Sequence, residues 1–495
     1  MHALHLAAEC APLVQTGGLG AAVGALPAAL RSCGVDASVA LPMYGGCEGP
    51  LAHRAGPLTR AWAGPTPAGD ATVWRVDARD VPTFLVEHDA FASPHVYADG
   101  LGEPLPDARF AAFCVAALSW LVADAERRPD LLHVHDAHTG LVPALLRAEP
   151  AFAALAQTPV VLTVHGADHQ GVTPLAALAA AGVSPEVSRA MHSGQDPDDA
   201  LSMLRVGVEQ ADAVIAPSPT FARELRGDGP APRGLGRTFR AAAERTVGIL
   251  DGLDRAVWDP RRDPALPAPF GADDLRGKAL AKAAVCAELS LDPARPLLAY
   301  VGRLMPENGV EILYEAVERL SGQTEATVAV LGRGSAEQEA RLRGLATLLR
   351  TGDAGDRLAV RFAFDQPLAH RLVAGADAVL CPDRTAPAAR TAMTAMAYGA
   401  VPVVHAVGAL KDAVCPDGEP ARGVCFDAFT TTALTEAVVD ALDRMQDADA
   451  WAELQARGLA AEFSWLDTAT RTAGVYRDVL GAAPHRDAGR HSVAV

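Results

Sequence analysis

The chain has 495 residues, of which 50% are hydrophobic. Because a single hydrophobic core stops growing at about 250–300 residues, this length predicts two globular domains. The formal net charge of −17 argues against a nucleic-acid partner or an anionic membrane surface, since both attract concentrated Lys and Arg. We therefore expect a small or neutral ligand.

The first residues, MHALHLAAECAPL, contain no basic segment, and their apolar run is too short for a signal peptide or a membrane span. This start predicts a cytoplasmic protein that has no membrane partner. The eight cysteines are scattered without a CxxC pair, which predicts reduced core residues and neither a disulfide framework nor a zinc site. The sequence has no HExxH motif, which argues against a metal; we also expect no cofactor.

Short apolar runs in the first half of the chain alternate with Ala-rich segments that are compatible with helices. This pattern is typical of parallel strands that are buried on both faces. We predict a doubly wound α/β domain over residues 1–245. Its predicted strands lie at 2–9, 36–42, 72–77, 131–136, 160–166 and 213–218.

A second α/β domain is predicted over residues 246–462, followed by a helix at 463–480 and a disordered tail at 481–495. Between the two series of strands, residues 225–260 are rich in Gly, Pro and Arg, which is typical of a mobile loop and a linker. Ligands bind such folds at the carboxyl ends of the strands. The second series of predicted strands lies at 296–304, 326–334, 358–364, 377–383, 400–406 and 423–427.

A Gly-rich turn follows the first predicted strand. Gly17, Gly18 and Gly20 allow backbone N–H groups to approach an anion at the start of a helix. The spacing matches neither Walker A nor GxGxxG, and such turns serve tight packing more often than phosphate binding. Both interpretations of the turn stay open.

Cationic residues follow two strands of the second domain. Arg303 comes just after one strand, and Pro387 is predicted to begin a helix that carries Arg390 and Thr391 in its first turns. A cation at this end of a helix opposes the helix dipole unless an anion is present. One anion held by Arg303, Arg390 and helix N–H groups would explain these placements, whereas a solvated Arg390 is the alternative.

Ordered blocks along nearly the whole chain carry a family resemblance. They include AECAPLVQTGGLGAAVGALPAAL, DLLHVHDAHTGLVPALL, LTVHGADHQG, GILDGLDRAVWDP, VGRLMPENGVEIL and AMAYGAVPVVHAVGALKDAV. Together they resemble the successive blocks of bacterial glycogen synthases and plant starch synthases.

The resemblance implies an α/β chain with a GT-B fold, in which two Rossmann-like doubly wound domains face each other across a cleft. In this family a nucleotide-sugar donor binds the C-terminal domain and an acceptor glucan binds the N-terminal domain. The family transfers glucose from ADP-glucose or UDP-glucose to an α-1,4-glucan with retained stereochemistry and without a metal. The helix at 463–480 is similar to the family's tail, which crosses back to the first domain.

Residues that match the family's motifs, together with the helix start at Arg390, form the predicted site. In that family, the histidine at the position of His165 faces the donor sugar. The predicted catalytic residues are His165 and Arg303; the predicted donor- or phosphate-binding residues are Thr16, Gly17, Gly18, Arg303, Arg390 and Thr391; and the predicted acceptor-side residues are Asp136 and His138.

Three catalytic positions of the family have changed. Gln15 replaces a phosphate-side lysine, Asn308 stands where a second such lysine belongs, and Ala386 replaces the acidic residue that grips the hydroxyls of the donor sugar. Removing one preorganised group of this kind costs roughly 10²–10³ in rate. These changes argue against ordinary glucan synthesis.

Other departures lie outside the phosphate-binding motifs. Ala137 replaces a tryptophan and Leu105 lies where the family shows an aromatic ring, so the sequence predicts a different acceptor. Asp251 stands for an asparagine in the motif between the domains.

Three hypotheses follow. The first is a transferase that uses a nucleotide-activated sugar or cyclitol, including a pseudoglycosyltransferase that forms a C–N bond to an amino sugar, as in acarbose- or validamycin-type pathways. The second is an ordinary glycogen synthase that extends α-1,4-glucan from ADP-glucose. The third is a non-catalytic relative that binds a glucan or a nucleotide.

Overall fold

The computed structural model describes residues 1–45, 56–98, 103–351 and 356–482. Cys47 and most of the predicted tail at 481–495 lie outside these ranges. The chain forms two compact units. The first contains Met1–Pro217, Ala222–Ile249 and the chain from Trp465 on, and the second contains Ser218–Phe221 and Leu250–Ser464.

The strands of the first unit are three to ten residues long, and those in the middle of its large sheet are the most buried. They are β1 (His2–Leu6), β2 (Asp36–Pro42), β3 (Thr59–Thr66), β4 (Gly69–Ala78), β5 (Val81–Glu87), β6 (Leu131–His135), β7 (Val160–Thr163), β8 (Val172–Pro174), β9 (Ala200–Ser202), β10 (Ala213–Ala216) and β11 (Thr246–Gly248).

Within the described residues, nine of these strands form one sheet in the order β11-β10-β7-β6-β1-β2-β5-β4-β3. Pairing is parallel from β11 to β5 and antiparallel at β5-β4 and β4-β3. The prediction of a parallel strand at 72–77 is therefore wrong in direction. Its residues alternate between buried and more exposed positions, which is typical of an antiparallel strand with one solvated face.

The second unit contains six parallel strands in its described part, in the order β14-β13-β12-β15-β16-β17. Numbered from its own first strand, this order is 3-2-1-4-5-6, the order of a Rossmann-type sheet. The strands are β12 (Leu297–Val301), β13 (Thr327–Leu331), β14 (Leu358–Arg361), β15 (Ala378–Cys381), β16 (Val401–His405) and β17 (Val424–Phe426).

Helices connect the parallel strands. In chain order they are α1 (Gly18–Ser32), α2 (Ala108–Ala123), α3 (Val142–Ala148), α4 (Leu175–Ala180), α5 (Pro185–Met191), α6 (Met203–Gln210), α7 (Pro219–Glu224), α8 (Gly236–Ala241), α9 (Arg276–Leu289), α10 (Val310–Gln323), α11 (Ala336–Thr351), α12 (Gln366–Gly375), α13 (Arg390–Ala397), α14 (Gly408–Val414), α15 (Thr431–Gln446), α16 (Ala448–Ala460) and α17 (Trp465–Gly481). None of the described helices combines the length and the apolar character that crossing a membrane requires.

The last helix, α17, completes the core of the first unit. Its buried side chains Ala469, Ala473 and Tyr476 pack in one cluster with Leu26 and Leu30 of α1. These positions lie three and four residues apart, so they share one face of the helix. The end of the chain is therefore a structural part of the unit that contains its beginning.

The segment predicted as a mobile loop and linker, 225–260, has regular structure. It contains α8 and β11, and β11 pairs with β10, so the predicted boundary at residue 245 falls before the last strand of the first sheet. Arginines hold the segment in place, because Arg226 donates to the carbonyls of Ala243 and Thr246. Arg240 and Arg245 likewise donate to backbone carbonyls, a structural role that composition alone does not reveal.

The cysteines are not all reduced core residues. Cys415, next to the end of α14, is joined by a disulfide to Cys425 of β17, so the prediction is wrong for this pair. Four described cysteines are free and buried, whereas Cys33 is free and half-buried. The two bonded residues are only ten positions apart, but their closeness depends on how α14 returns to the sheet.

Candidate functional site

Each unit has a point where the strand order reverses around its first strand. In the first unit this point lies between β1 and β6, and in the second it lies between β12 and β15. The crevice outside the carboxyl ends of such strands is where open α/β sheets bind ligands. Most of the predicted site residues follow one of these four strands.

In the first unit, the Gly-rich turn wraps around a buried carboxylate, that of Glu9. This carboxylate accepts hydrogen bonds from the backbone N–H groups of Thr16 and Gly17, from the Thr16 hydroxyl at 2.9 Å, and from the Tyr97 hydroxyl. Two of the N–H groups predicted to hold a phosphate, those of Thr16 and Gly17, are therefore engaged by the protein itself. Gly18 begins α1, and Gln15 is exposed beside the turn.

Asp136 lies directly after β6 in a left-handed backbone conformation, with φ of 56°. Its carboxylate accepts a hydrogen bond from the backbone N–H of His165 at 2.6 Å, which ties the end of β6 to the end of β7. Burial raises the pKa of Asp136 to about 7, and the backbone hydrogen bond works against this rise. Asp136 can therefore take up or release a proton near neutral pH.

His138 lies in an aromatic cluster beside Asp136. Its ring stacks on His169 at a centroid distance of 5.0 Å and packs edge-on against Phe110 at 4.6 Å. His138 is 4% exposed, and neither of its ring nitrogens has a hydrogen-bond partner among the described residues. A buried polar group without a partner is uncommon in folded proteins, so this ring is a candidate to meet a ligand.

Ala137, between Asp136 and His138, lies inside the protein. It is fully buried, and a Cβ atom added at Gly171 would come within 3.1 Å of the Ala137 Cβ. A side chain at this position points into the protein. Ala137 itself therefore offers no exposed surface, and the expectation of a different acceptor stays a prediction.

In the second unit, Arg303 extends from the turn after β12. The backbone carbonyl of Arg303 accepts a hydrogen bond from the Tyr300 hydroxyl at 2.7 Å, which fixes the turn. The guanidinium is 71% exposed and lies 3.7 Å from the Glu307 carboxylate. Arg303 can reach a ligand, although a carboxylate lies next to it.

Two hydrogen-bonded contacts fasten the loop after β15 to this turn. Asn308 Nδ2 donates to Asp383 Oδ1 at 2.9 Å, and Arg384 forms an ion pair with Glu311 at 2.6 Å. Burial raises the pKa of Asp383 to about 6, and the hydrogen bond from Asn308 works against the rise. The position of the missing lysine is thus occupied by an amide that already has a carboxylate as its partner.

The predicted helix start is displaced by three residues. Helix α13 begins at Arg390, with Ala389 as its N-cap, so Pro387 precedes the helix and does not begin it. Arg390 is exposed and Thr391 is half-buried. The short, alanine-rich stretch before the helix gives no cap signal, which explains the error.

Ala386 lies in a close backbone contact with the start of α14. It is 2% exposed, its carbonyl accepts a hydrogen bond from the Ala409 N–H at 2.7 Å, and a Cβ atom at Gly408 would come within 2.0 Å of that carbonyl. Gly408 has φ of 47°, so both space and backbone conformation require glycine there. Position 386, where the resembling family has an acidic residue, therefore offers a backbone contact and no carboxylate.

Asp251 provides a further negative charge near Arg390. Burial raises the pKa of Asp251 to about 7, and the positive charge of Arg390 works against the rise. The two departures from the family, an aspartate for an asparagine and an arginine at the helix start, therefore interact electrostatically. This interaction could not be predicted from positions 139 residues apart.

Sequence reasoning missed two residues of the site. Glu9 carried a signal, because a lone acidic residue follows a buried strand and precedes a Gly-rich turn. Asp383 carried a weaker one, since it ends the strand-to-turn segment AVLCPD. In both cases the identity of the hydrogen-bond partner depends on the fold.

Two family models match the chain. "Starch synthase catalytic domain" matches residues 2–238, and "Glycosyl transferases group 1" matches residues 286–456. The matches cover most of each unit, including the two strand-order reversals described above.

Similar proteins extend over the whole chain. A glycogen synthase of Anaeromyxobacter sp. (strain Fw109-5) is 38% identical over 500 residues, which cover 98% of this chain and 100% of the relative. A glycogen synthase of Myxococcus xanthus (strain DK1622) is 34% identical and covers 97% of this chain and 100% of the relative.

Among solved structures, the catalytic domain of Starch Synthase IV from Arabidopsis thaliana, bound to ADP and acarbose, has a TM-score of 0.85 and 26% identity; the match covers 97% of this chain and 99% of that chain. This match confirms the predicted α/β, GT-B fold with Rossmann-like domains. The chain therefore belongs to the glycogen synthase and starch synthase family of GT-B glycosyltransferases.

Proposed function

We propose that this protein is a transferase of the glycogen synthase family whose donor is a nucleotide-activated sugar or sugar-like cyclitol other than ADP-glucose. The observation that carries the proposal is the hydrogen bond between Asn308 and Asp383. A family member needs a cation at position 308 to stabilise the departing diphosphate. Here the position offers an amide whose donor is already engaged, beside a carboxylate that repels phosphate when ionised.

The charges around the two remaining cations support the same proposal. Arg303 lies beside Glu307, and Arg390 interacts with Asp251. Each carboxylate reduces the positive potential that its arginine offers to a leaving group. With an activated unsaturated cyclitol as the donor, an allylic cation would replace the oxocarbenium ion of a glucosyl donor.

For the acceptor, we propose an amino sugar. In the proposed step, the amine nitrogen forms a C–N bond to the donor carbon while the C–O bond to the nucleoside diphosphate breaks. The electron pair of that bond leaves with the diphosphate oxygen, and an N–H proton passes to the Asp136 carboxylate. A pKa of about 7 suits Asp136 to accept a proton at neutral pH. His138 and its unpartnered nitrogens would bind acceptor hydroxyls.

The proposal includes three further expectations. The reaction uses no metal, because arginines and helix N–H groups are the proposed partners of the diphosphate. The protein has no nucleic-acid partner, in keeping with its net charge of −17. It works in the cytoplasm.

An ordinary glycogen synthase is the second candidate. It is favoured by relatives of that name that are 38% and 34% identical over nearly the whole chain. On this alternative, the changes at Gln15, Asn308 and Ala386 are tolerated and Arg390 supplies the missing positive charge.

The deciding experiment measures ADP release and chain elongation with ADP-glucose and glycogen, beside an active glycogen synthase as the control. Negligible turnover by the folded protein, together with release of a nucleoside diphosphate from another activated donor and an amino-sugar acceptor, would support the proposal. Turnover of ADP-glucose comparable to the control would establish the second candidate. Nucleotide binding without turnover of any donor would indicate a non-catalytic relative.

A further inference from the structure

A file of hydrogen-bonded side chains runs through the core of the first unit and ends at His165. It connects two buried hydroxyls with four imidazole rings. In order, Thr163 Oγ1 lies 2.6 Å from His133 Nε2, His133 Nδ1 lies 2.6 Å from Tyr476 Oη, Tyr476 Oη lies 3.4 Å from His5 Nε2, His5 Nδ1 lies 3.1 Å from His135 Nε2, and His135 Nδ1 lies 3.1 Å from His165 Nε2.

The imidazoles of this file are neutral at physiological pH. Burial lowers the pKa of His5 to about 3 and that of His165 to about 4, and it holds the pKa of His133 and His135 well below the usual value. A neutral imidazole donates from one nitrogen and accepts at the other. A ring that accepts a hydrogen bond from one neighbour in the file must therefore donate one to the next neighbour.

An unbroken file has only two possible directions. If the Thr163 hydroxyl donates to His133, then His133, Tyr476, His5 and His135 each donate to the next member. In that direction all four histidines carry their proton on Nδ1, and the final N–H belongs to His165. In the opposite direction all four carry it on Nε2, and the donor left over is the Thr163 hydroxyl.

Burial distinguishes the two directions. Thr163 is 5% exposed, and within the described residues its hydroxyl has no acceptor other than His133. The reversed file would leave this donor buried and unpaired, which is costly. The forward file leaves over only the Nδ1–H of His165, a half-buried ring after β7, where a ligand or water can accept it.

We propose that the file fixes His165 as the Nδ1–H tautomer, so that His165 presents a hydrogen-bond donor and not an acceptor to the substrate. Tyr476, on the last helix of the chain, is then a positioning residue: it carries the direction from His133 to His5. The tautomer follows from the structure alone, whereas its use toward a donor sugar or cyclitol rests on the proposed function.

The same rings offer an alternative that the test must address. One ligand atom each from His5, His133 and His135 lie within 4.8 Å of one another, which is close enough to hold a metal ion. The ring nitrogens of His133, however, both lie 2.6 Å from hydroxyl oxygens. A bound metal would have to displace at least one of these partners and would interrupt the file.

The test is nitrogen NMR of the full-length protein with ¹⁵N-labelled histidine rings, without substrate. Two-bond and three-bond correlations show which ring nitrogen carries the proton, and the signals of each ring are assigned by their loss in single His→Gln variants. We expect protonated Nδ1 and unprotonated Nε2 at His5, His133, His135 and His165. Protonated Nε2 at His165, or an imidazolium there at neutral pH, would overturn the proposal.

Two variants interrupt the file at different places. Tyr476→Phe removes the hydroxyl between His133 and His5, and Thr163→Val removes the terminal hydroxyl; each should convert His165 from one tautomer to a mixture. Thr472→Val is the matched control, because the Thr472 hydroxyl is buried on the same helix and, among the described residues, donates to the Thr468 carbonyl of that helix and to no member of the file. A His165 tautomer that is unchanged in both interrupted variants would contradict the proposal.

Metal content is measured on the same samples. A stoichiometric transition metal in the purified protein, lost in His133→Gln, would also overturn the proposal. None of these readouts depends on turnover. Failure of the tautomer assignment can therefore be distinguished from failure of the proposed function, which the donor assays test.

Discussion

Asn308 Nδ2 donates a hydrogen bond to Asp383 Oδ1 at 2.9 Å and so joins the turn after β12 to the loop after β15. Asn308 offers a neutral donor where the resembling family has a lysine, and Asp383 places a carboxylate beside it at the strand-order reversal of the second unit. It makes the electrostatics of this site testable by single substitutions.

Asn308→Lys should strengthen the binding of a nucleoside diphosphate, for which ADP is the probe. The new ammonium adds a positive charge beside the phosphate-side Arg303 and compensates the Asp383 carboxylate. We expect the dissociation constant to fall about tenfold, which corresponds to about 1.4 kcal/mol, as measured by titration calorimetry. Gln323→Lys adds the same charge at the exposed end of α10 and should leave the affinity unchanged. Equal effects of both variants would mean that only net charge matters.

Asp383→Asn should stabilise the protein at neutral pH. The folded protein keeps the Asp383 proton up to about pH 6, whereas an unperturbed aspartate loses it near 3.8. The folded state binds more protons in this window, so the wild-type stability contribution falls as the pH rises through it. The variant should therefore gain stability over the wild type at about pH 7.5 and lose this advantage below about pH 4.

Urea unfolding at both pH values measures this difference. Asp417→Asn, at an exposed aspartate of the same unit, is the control and should show little change at either pH. A variant that is less stable than the wild type at about pH 7.5 would show that the ionised carboxylate is stabilising and would contradict the raised pKa.

Asp251→Asn should remove part of the pH dependence of ADP binding. Asp251 loses its proton near pH 7, so above this pH its negative charge compensates Arg390 and weakens the attraction for phosphate. We expect wild-type affinity to fall between about pH 6 and pH 8 by more than the affinity of the variant, because burial sets the titration within this range. Calorimetry at the two pH values gives the comparison. Identical pH profiles of the two proteins would contradict the prediction and would mean that Arg390 does not contribute to phosphate binding.

Lys278→Met should destabilise the second unit strongly. Lys278 Nζ donates to the carbonyls of Ala374, Ala376 and Tyr398 at 2.9, 2.7 and 3.1 Å and so caps the ends of α12 and α13. Three buried carbonyls would lose their donor, at a cost of about 3 kcal/mol or more in the free energy of unfolding. The matched control is Lys411→Met, which removes a surface ion pair with Asp417 and should cost less than about 1 kcal/mol.

The sequence predicts the parallel strands well because each one is a short apolar run between helix-compatible segments. It predicts strand direction poorly where the run alternates, as at β4. It also missed β3, which is largely exposed and antiparallel, and β5, which is mostly buried between a parallel and an antiparallel neighbour. Helix starts without a capping side chain, such as that at Arg390, were displaced.

The positions of His165, Arg303 and Asp136 after the ends of strands were predictable from chain-local motifs, whereas their roles stay predictions. Their partners were not predictable. Glu9 occupies N–H groups that sequence reasoning gave to a phosphate, and Asp383 faces Asn308 across 75 positions of sequence. Such pairings depend on which strand ends become neighbours, and local sequence contains no information about that.

Helix α17 supplies Ala469, Ala473 and Tyr476 to a core that is otherwise built largely from the first strands and helices. During synthesis on the ribosome, the first unit therefore cannot finish folding before the second unit has been made. Domains generally fold as their residues emerge. Here the N-terminal unit must wait, with an apolar face of α1 uncovered, until all of the second unit has been translated. A nascent chain arrested just before Trp465 would present this face to chaperones. A chain released at that point would contain every residue of the second unit but would lack the helix that completes the core of the first unit.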